Sequence, residues 1–216
     1  MPTARATPPR GAAGLLAAAA SGYLLGTAPA ADAAARLASK GAARVAGARR
    51  AQVGGALRRQ PGGANALVVL GKGWGYGVMA VDIVKGAAAC VVGRRLGGEA
   101  GAHVAGTAAV VGHCFPVWNG FRGGKGVAVS LGQCSATFPV YLPVDLGVSW
   151  AVGRWKGRTF PGTVAGSATW VVASLLWWRN RWPNGWGPEP TAALPASAAV
   201  SSAVILYKFT TARIRP

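Results

Sequence analysis

Residues 112–128 read GHCFPVWNGFRGGKGVA and lie between two apolar segments of the chain. Within this stretch, residues 120–126 form a glycine-rich loop with four glycines, one arginine and one lysine. Glycine lets backbone N–H groups approach a ligand closely, and Arg122 and Lys125 add positive charge. The loop therefore predicts binding of an anion such as phosphate. The alternative is a turn between two membrane helices whose basic residues face lipid headgroups.

The glycine-rich loop does not match the Walker A pattern of nucleotide triphosphatases. That pattern requires a glycine six residues before the lysine, and serine or threonine directly after it. Those two positions hold Asn119 and Gly126. The sequence therefore disfavours a nucleotide triphosphatase.

The composition indicates a single integral membrane domain over residues 1–216. Of the 216 residues, 51% are hydrophobic and only 13% are charged. Lys and Arg number 23 against 5 Asp and Glu, and long apolar runs separate the basic clusters. This pattern favours contact with anionic membrane lipids over nucleic acid.

The apolar segments predict an all-α polytopic membrane protein with about seven transmembrane or re-entrant helices. The stretch from 127 to 152 counts twice, because it is too long for one span and has Pro139 and Pro143 in its middle. The predicted segments are 11–31, 74–92, 101–118, 127–152, 162–178 and 191–207.

The distribution of basic residues predicts the orientation of these segments. With seven segments and an outer N-terminus, sixteen Lys or Arg lie on the inner side and six on the outer side. This bias satisfies the positive-inside rule and places the glycine-rich loop at the cytoplasmic face. Residues 36–72, which are rich in arginine and glycine, are predicted to form a surface loop there.

The first apolar run has a second interpretation. Arg5 and Arg10 precede it, and Ala28-Pro29-Ala30 is compatible with a signal-peptidase site. A retained transmembrane helix is the prediction that we keep, and cleavage after Ala30 is the alternative.

Two charged residues lie inside the predicted span 74–92. Asp82 and Lys85 are three residues apart, so they share a helix face and can pair, which lowers the cost of placing charge in hydrocarbon. We expect a structural ion pair, with a direct role in chemistry as the alternative. Cys90, Cys114 and Cys134 lie in or beside apolar segments without paired spacing, so we expect small core residues and no metal site.

The stretch GHCFPVWNGFRGGKGVA resembles the second signature block of the bacterial membrane glycerol-3-phosphate acyltransferases of the PlsY family. GYLLGTAPAA at residues 22–31 is similar to the end of the family's first helix, and DIVKG at 82–86 looks like its Asp-x-x-Lys-Gly. Residues 62–72 resemble the tail of the first block and include Asn65, but Arg58, Gln60 and Val68 stand where the family has serine, asparagine and arginine.

The third block of the family is effectively absent. The family closes with His-Arg-x-Asn-Ile, whereas Phe209 and Ala212 stand at the histidine and asparagine positions here. The resemblance therefore implies a divergent branch, with altered substrate handling or no activity.

The resemblance implies transfer of an acyl group from acyl phosphate to glycerol 3-phosphate, giving lysophosphatidic acid in the bacterial plasma membrane. Such a reaction needs orientation and charge neutralisation, with no cofactor, metal or covalent nucleophile. Lys125, Ser130 and His113 are the predicted catalytic residues; for His113, a helix-end bond to a backbone carbonyl is the alternative. The predicted phosphate-binding residues are Arg122, Gly123, Gly124, Gly126, Asn65, Arg58 and Arg59.

Two other classes of function stay open from the sequence. One is a catalytically silent paralogue that binds lipid precursors. The other is a small-solute transporter, whose broken helix at Pro139 to Pro143 and intramembrane charges would line the path, although no internal repeat supports it.

Overall fold

The computed structural model describes residues 11–41 and 62–213, and all regular structure in those ranges is helical. A 3₁₀ turn, Val117–Asn119, precedes the glycine-rich loop. The helices are α1 (Ala12–Gly26), α2 (Ala30–Gly41), α3 (Gly63–Leu70), α4 (Lys72–Cys114), α5 (Val127–Thr137), α6 (Leu142–Trp155), α7 (Thr159–Asn180) and α8 (Ala193–Arg213). The predicted all-α class is confirmed for the described residues. Arg58 and Arg59 lie outside them.

Helix α4 is a hairpin of two arms, residues 72–97 and 99–114. Gly98 breaks the helix with φ +69° and ψ −156°, a conformation that only glycine adopts without strain. The arms run antiparallel, because the backbone of Gly93 lies against Gly101 at one end and Lys85 reaches His113 at the other. The two arms correspond to the predicted spans 74–92 and 101–118.

Small residues bring α1 against the second arm of α4. A methyl group added at Gly22 would collide with the backbone of Ala105, and one added at Gly26 would collide with Ala109. Helices in membranes associate through such small-residue contacts, because lipid provides no hydrophobic drive for them to pack. A small residue also lets α5 pack closely against the first arm of α4, because a methyl group at Gly132 would collide with the Ile83 carbonyl.

Helices α5 and α6 confirm the predicted division of the stretch 127–152. They contain 11 and 14 residues, or about 16 and 21 Å at 1.5 Å per residue. Each is shorter than the roughly 30 Å of a bilayer core. The break falls at residues 138–141, because Pro139 lacks the N–H that a continuous helix would use.

Three stretches of the described chain are both long and apolar enough to cross a membrane: Ala12–Ala38, Lys72–Asn119 and Ala193–Thr211. The first of them extends through α2, where the sequence predicted the start of a surface loop. The loop prediction was therefore wrong at residues 36–41, which belong to α2, and at Gly63–Leu70, which form α3. Alanine is the best helix former and fills most of residues 30–38; Asp32, in the first turn, and Arg36 both favour a helix as well.

A buried polar network joins α4, α5 and α8. Gln133 donates from Nε2 to Thr107 Oγ1 at 3.2 Å, and Ser201 donates to Gln133 Oε1 at 2.9 Å. His103 Nδ1 lies 3.1 Å from Ser197 Oγ in the same layer. Pairing satisfies these polar groups away from water and fixes the helices to one another. The three cysteines are buried and unpaired, which confirms the prediction that they are core residues.

Candidate functional site

A cavity of about 420 Å³ lies where the α1–α2 junction, both arms of α4 and the glycine-rich loop meet. Its wall combines backbone of the α1–α2 junction and of the glycine-rich loop with charged side chains from α2 and α4. The polar and charged residues that line it are Thr27, Asp32, Arg36, Asp82, Lys85, His113 and Asn119. Gly123 and Gly124 of the glycine-rich loop and Gly62, just before α3, complete one side.

The buried end of this cavity is a cluster of three side chains. Lys85 Nζ lies 2.9 Å from Asp82 Oδ1 and 3.0 Å from His113 Nδ1. The same ammonium donates to the Ala28 carbonyl at 3.1 Å. Asp82 and Lys85 are 2% and 7% exposed, so both charges depend on this pairing for stability. The predicted ion pair therefore forms at the cavity wall, in contact with a predicted catalytic residue.

The α1–α2 junction supplies the carbonyl that Lys85 uses. Helix α1 ends at Gly26, and the last carbonyls of a helix have no partner within it. Pro29 offers no N–H to continue the ladder. The Ala28 carbonyl instead accepts from Ala30 N at 3.0 Å and from Lys85 Nζ. The break in GTAPA thus places an acceptor opposite a lysine 57 positions away.

The glycine-rich loop folds back over the end of α4. The amides of Gly123 and Gly124 donate to the carbonyls of Cys114 and His113, each at 3.1 Å. A methyl group at Gly123 would collide with the His113 carbonyl oxygen and the Cys114 backbone. These two amides therefore cap the helix instead of pointing at an open anion site, and glycine is required for the close approach.

Arg122 lies on the exposed side of this loop and does not line the cavity. Its carbonyl accepts from Asn119 Nδ2 at 2.6 Å, and its amide donates to the Asn119 carbonyl at 3.1 Å. Gly120 and Phe121 have φ of +56° and +60°, so two successive left-handed residues make the turn. The Asn119 side chain stabilises that turn and sets the direction of the loop.

Lys125, Gly126 and Ser130 lie beyond the cavity, at the start of α5. Lys125 is exposed, and its Nζ is 4.4 Å from the centre of the Phe209 ring. Gly126 has φ +85° and is packed against Cys114, so it directs the chain into α5. Ser130 is buried and donates to the Val127 carbonyl at 2.9 Å.

The structure thus brings together only part of the predicted site. His113, Gly123 and Gly124 line the cavity with the Asp82–Lys85 pair, whereas Arg122, Lys125, Gly126, Ser130 and Asn65 do not. Sequence reasoning missed Arg36 and Asp32 as cavity residues, because Arg36 was assigned to a surface loop and Asp32 to the residues just before it. The signal was the alanine-rich composition of residues 30–38, which predicts a helix directly after the break.

A sequence profile of the family described as glycerol-3-phosphate acyltransferase matches residues 16–215 of this chain. The chain belongs to the glycerol-3-phosphate acyltransferase family. One curated member, the glycerol-3-phosphate acyltransferase of Thermoanaerobacter sp. (strain X514), is 36% identical over 116 residues. That match covers 54% of this chain and 59% of the relative, so the chain spans less than two thirds of the length of such curated members.

The fold resembles two crystal structures of PlsY, an integral membrane glycerol 3-phosphate acyltransferase. One is the glycerol 3-phosphate form and the other the lysophosphatidic acid form, at 25% and 26% sequence identity. Both superpose with a TM-score of 0.69 and cover 93% of this chain and 90% of the solved chain. The family assignment and the multi-pass membrane architecture predicted from the sequence are therefore confirmed.

Proposed function

We propose that this protein transfers an acyl group from acyl phosphate to glycerol 3-phosphate and releases lysophosphatidic acid for phospholipid synthesis. The observation that carries the proposal is the cavity lined by Lys85, Arg36 and His113 in a chain of this family. The PlsY structures with a similar fold are described as glycerol 3-phosphate and lysophosphatidic acid forms, which supports this acceptor and this product.

The proposed reaction is a direct displacement at the acyl carbon. A glycerol hydroxyl oxygen bonds to that carbon, the bond from the carbon to the phosphate oxygen breaks, and the hydroxyl proton leaves with the phosphate. Phosphate is already a good leaving group, so the protein mainly orients two anions and offsets their charge. A cavity lined by cationic side chains and by a histidine suits that task without a serine, histidine and aspartate triad.

The residues divide into two groups in this proposal. Arg36 offsets substrate charge from the cavity wall, and His113 donates a hydrogen bond to a substrate oxygen. Lys85, paired with Asp82, lies behind His113 at the buried end of the cavity. Arg122 and Lys125, both exposed on the glycine-rich loop, attract the anionic substrates and contact a phosphate. Roles for Ser130, Gly126, Asn65, Arg58 and Arg59 stay predictions from the sequence.

We further propose that the protein lies in the bacterial plasma membrane with the cavity at the cytoplasmic face. The sixteen-to-six bias of basic residues supports this orientation. The acyl-phosphate donor would enter from the lipid phase, because its chain is apolar, while glycerol 3-phosphate would enter from water.

One observation favours the alternative of a catalytically silent, substrate-binding paralogue. Phe209, at a position where the resembled block has histidine, is 6% exposed and lies 5.6 Å from the Phe160 ring. An apolar pair at this place supplies no hydrogen-bond donor to a substrate.

The deciding experiment supplies purified protein in lipid nanodiscs with acyl phosphate and radiolabelled glycerol 3-phosphate. We expect lysophosphatidic acid and inorganic phosphate in equal amounts, loss of both in His113→Ala, and wild-type rates in Lys156→Ala. Lys156 is a suitable control because it is exposed and rests on the Trp155 ring, away from the cavity. Saturable binding of glycerol 3-phosphate without product would support the silent paralogue, and the absence of both would refute the proposed function.

A further inference from the structure

Lys85 is a buried lysine whose contacts extend beyond its ion pair with Asp82. Its side chain is 7% exposed and contacts three different groups: the Asp82 carboxylate, the Ala28 carbonyl and the His113 ring. The ammonium has hydrogen-bond partners at 3.1 Å in the Ala28 carbonyl and at 3.0 Å in His113 Nδ1, and it forms an ion pair with Asp82 Oδ1 at 2.9 Å. This arrangement fixes the position of Nζ from three separate segments of the chain.

The contact with His113 determines which ring nitrogen holds the proton. Beside a carboxylate at 2.9 Å, the lysine is an ammonium, which donates and cannot accept. His113 Nδ1, 3.0 Å away, must therefore be the acceptor. In a neutral imidazole the proton then resides on Nε2.

Asp82 makes this assignment dependent on Lys85. Its Oδ1 lies 3.6 Å from His113 Nδ1 and, although it forms the ion pair, has no directed hydrogen bond. Without the ammonium, this buried oxygen would be the natural acceptor for a proton on Nδ1. Lys85 thus prevents the tautomer that Asp82 alone would favour.

We propose that Lys85 is a positioning residue: it holds His113 in the Nε2–H tautomer, so that the ring donates to a phosphate or acyl oxygen of substrate in the cavity. This inference rests on the proposed function. The His113 side chain is 10% exposed and lines the cavity, and a proton on Nε2 gives it a donor that a bound anion can use. Charge increases on the acyl and phosphate oxygens during displacement, so a fixed donor stabilises the transition state.

The first test measures the tautomer directly in the wild-type protein. ¹⁵N NMR of histidine-labelled protein in nanodiscs should show His113 with a bare Nδ1 and a protonated Nε2. His113→Gln removes this signal and so assigns it against His103. Added glycerol 3-phosphate should shift the Nε2 resonance. A proton on Nδ1 in the wild type, or an Nε2 resonance that ignores the ligand, would overturn the inference.

The second test separates positioning from mere support of the fold. Lys85→Met should move the His113 proton to Nδ1 and lower kcat by about 100-fold, the loss typical of one transition-state donor. His113→Gln places an amide N–H near Nε2 without a tautomer to control, so adding Lys85→Met to it should cost less than about threefold. Equal losses in both backgrounds would show that Lys85 is only structural.

Two controls address instability of Lys85→Met and the case in which the proposed acyl transfer does not occur. If Lys85→Met is unstable, Lys85→Met with Asp82→Asn removes both buried charges, and it should restore stability but not activity. Full activity in that double variant would refute a positioning role. If the wild type makes no lysophosphatidic acid, the proposed reaction fails, while the NMR titration still decides whether His113 is held as a donor to the phosphate ligand.

Discussion

Replacement of Lys125 by alanine tests the glycine-rich loop most directly. The residue lies between Gly124 and Gly126, and its exposed ammonium rests 4.4 Å from the centre of the Phe209 ring. It does not line the cavity in this structure, so two different roles predict different results. Either the ammonium moves to a substrate phosphate, or it serves only as a cation–π partner.

The two roles differ in magnitude and in the quantity that changes. A cation–π contact at an exposed site contributes about 0.5–1 kcal/mol to stability. A charge-assisted hydrogen bond to phosphate contributes about 1.5–3 kcal/mol, which is roughly 10- to 150-fold in kcat/KM. We expect Lys125→Ala to lower kcat/KM for glycerol 3-phosphate by that larger factor and to change the melting temperature little.

Three further variants refine the expectation. Lys125→Arg should recover only part of the activity, because a planar guanidinium does not occupy the position of a compact ammonium. Phe209→Leu removes the ring but keeps the lysine, so it should lower stability while activity stays within a few-fold of wild type. Arg122→Ala should cost less than Lys125→Ala, because an exposed arginine at the edge of the loop is suited to contact lipid headgroups instead of substrate.

The assay follows acyl transfer at varied glycerol 3-phosphate and fixed acyl phosphate, with thermal unfolding of each variant measured in the same nanodiscs. Equal expression and reconstitution are required for comparison. If Lys125→Ala matches wild type in kcat/KM and in glycerol 3-phosphate binding, the phosphate role of this lysine is wrong. The glycine-rich loop would then be a structural turn.

Three other predictions concern packing and topology. Gly123→Ala should lower the melting temperature and activity, because its methyl group collides with the end of α4, whereas Gly147→Ala, which has open space around it, should be neutral. A reporter fused after Pro216 and a cysteine label near Lys156 should both report the cytoplasm, and an external signal at either would refute the seven-segment orientation. Intact-mass measurement should find the residues up to Ala30 still attached, since α1 packs along α4; a mature chain beginning at residue 31 would support the signal-peptide alternative.

The sequence alone determined the membrane class, the family and several boundaries. Apolar segment length located the long membrane-spanning segments, because a bilayer imposes a fixed thickness. Pro139 determined the division between α5 and α6, since proline removes a helical hydrogen bond at that position whatever its surroundings. The stretch GHCFPVWNGFRGGKGVA gave the family correctly, because it matches in residue order and not merely in composition. These are local properties, and local chemistry determines them.

Only the tertiary structure decided which residues form the cavity. Lys85 meets a carbonyl 57 positions earlier and a histidine 28 positions later, and no local pattern encodes those distances. Likewise, the sequence predicted that the amides of Gly123 and Gly124 bind an anion, whereas in the fold they donate to carbonyls at the end of α4. A backbone group binds whichever partner packing brings within hydrogen-bond distance, so its role depends on the approach of segments that the sequence leaves far apart.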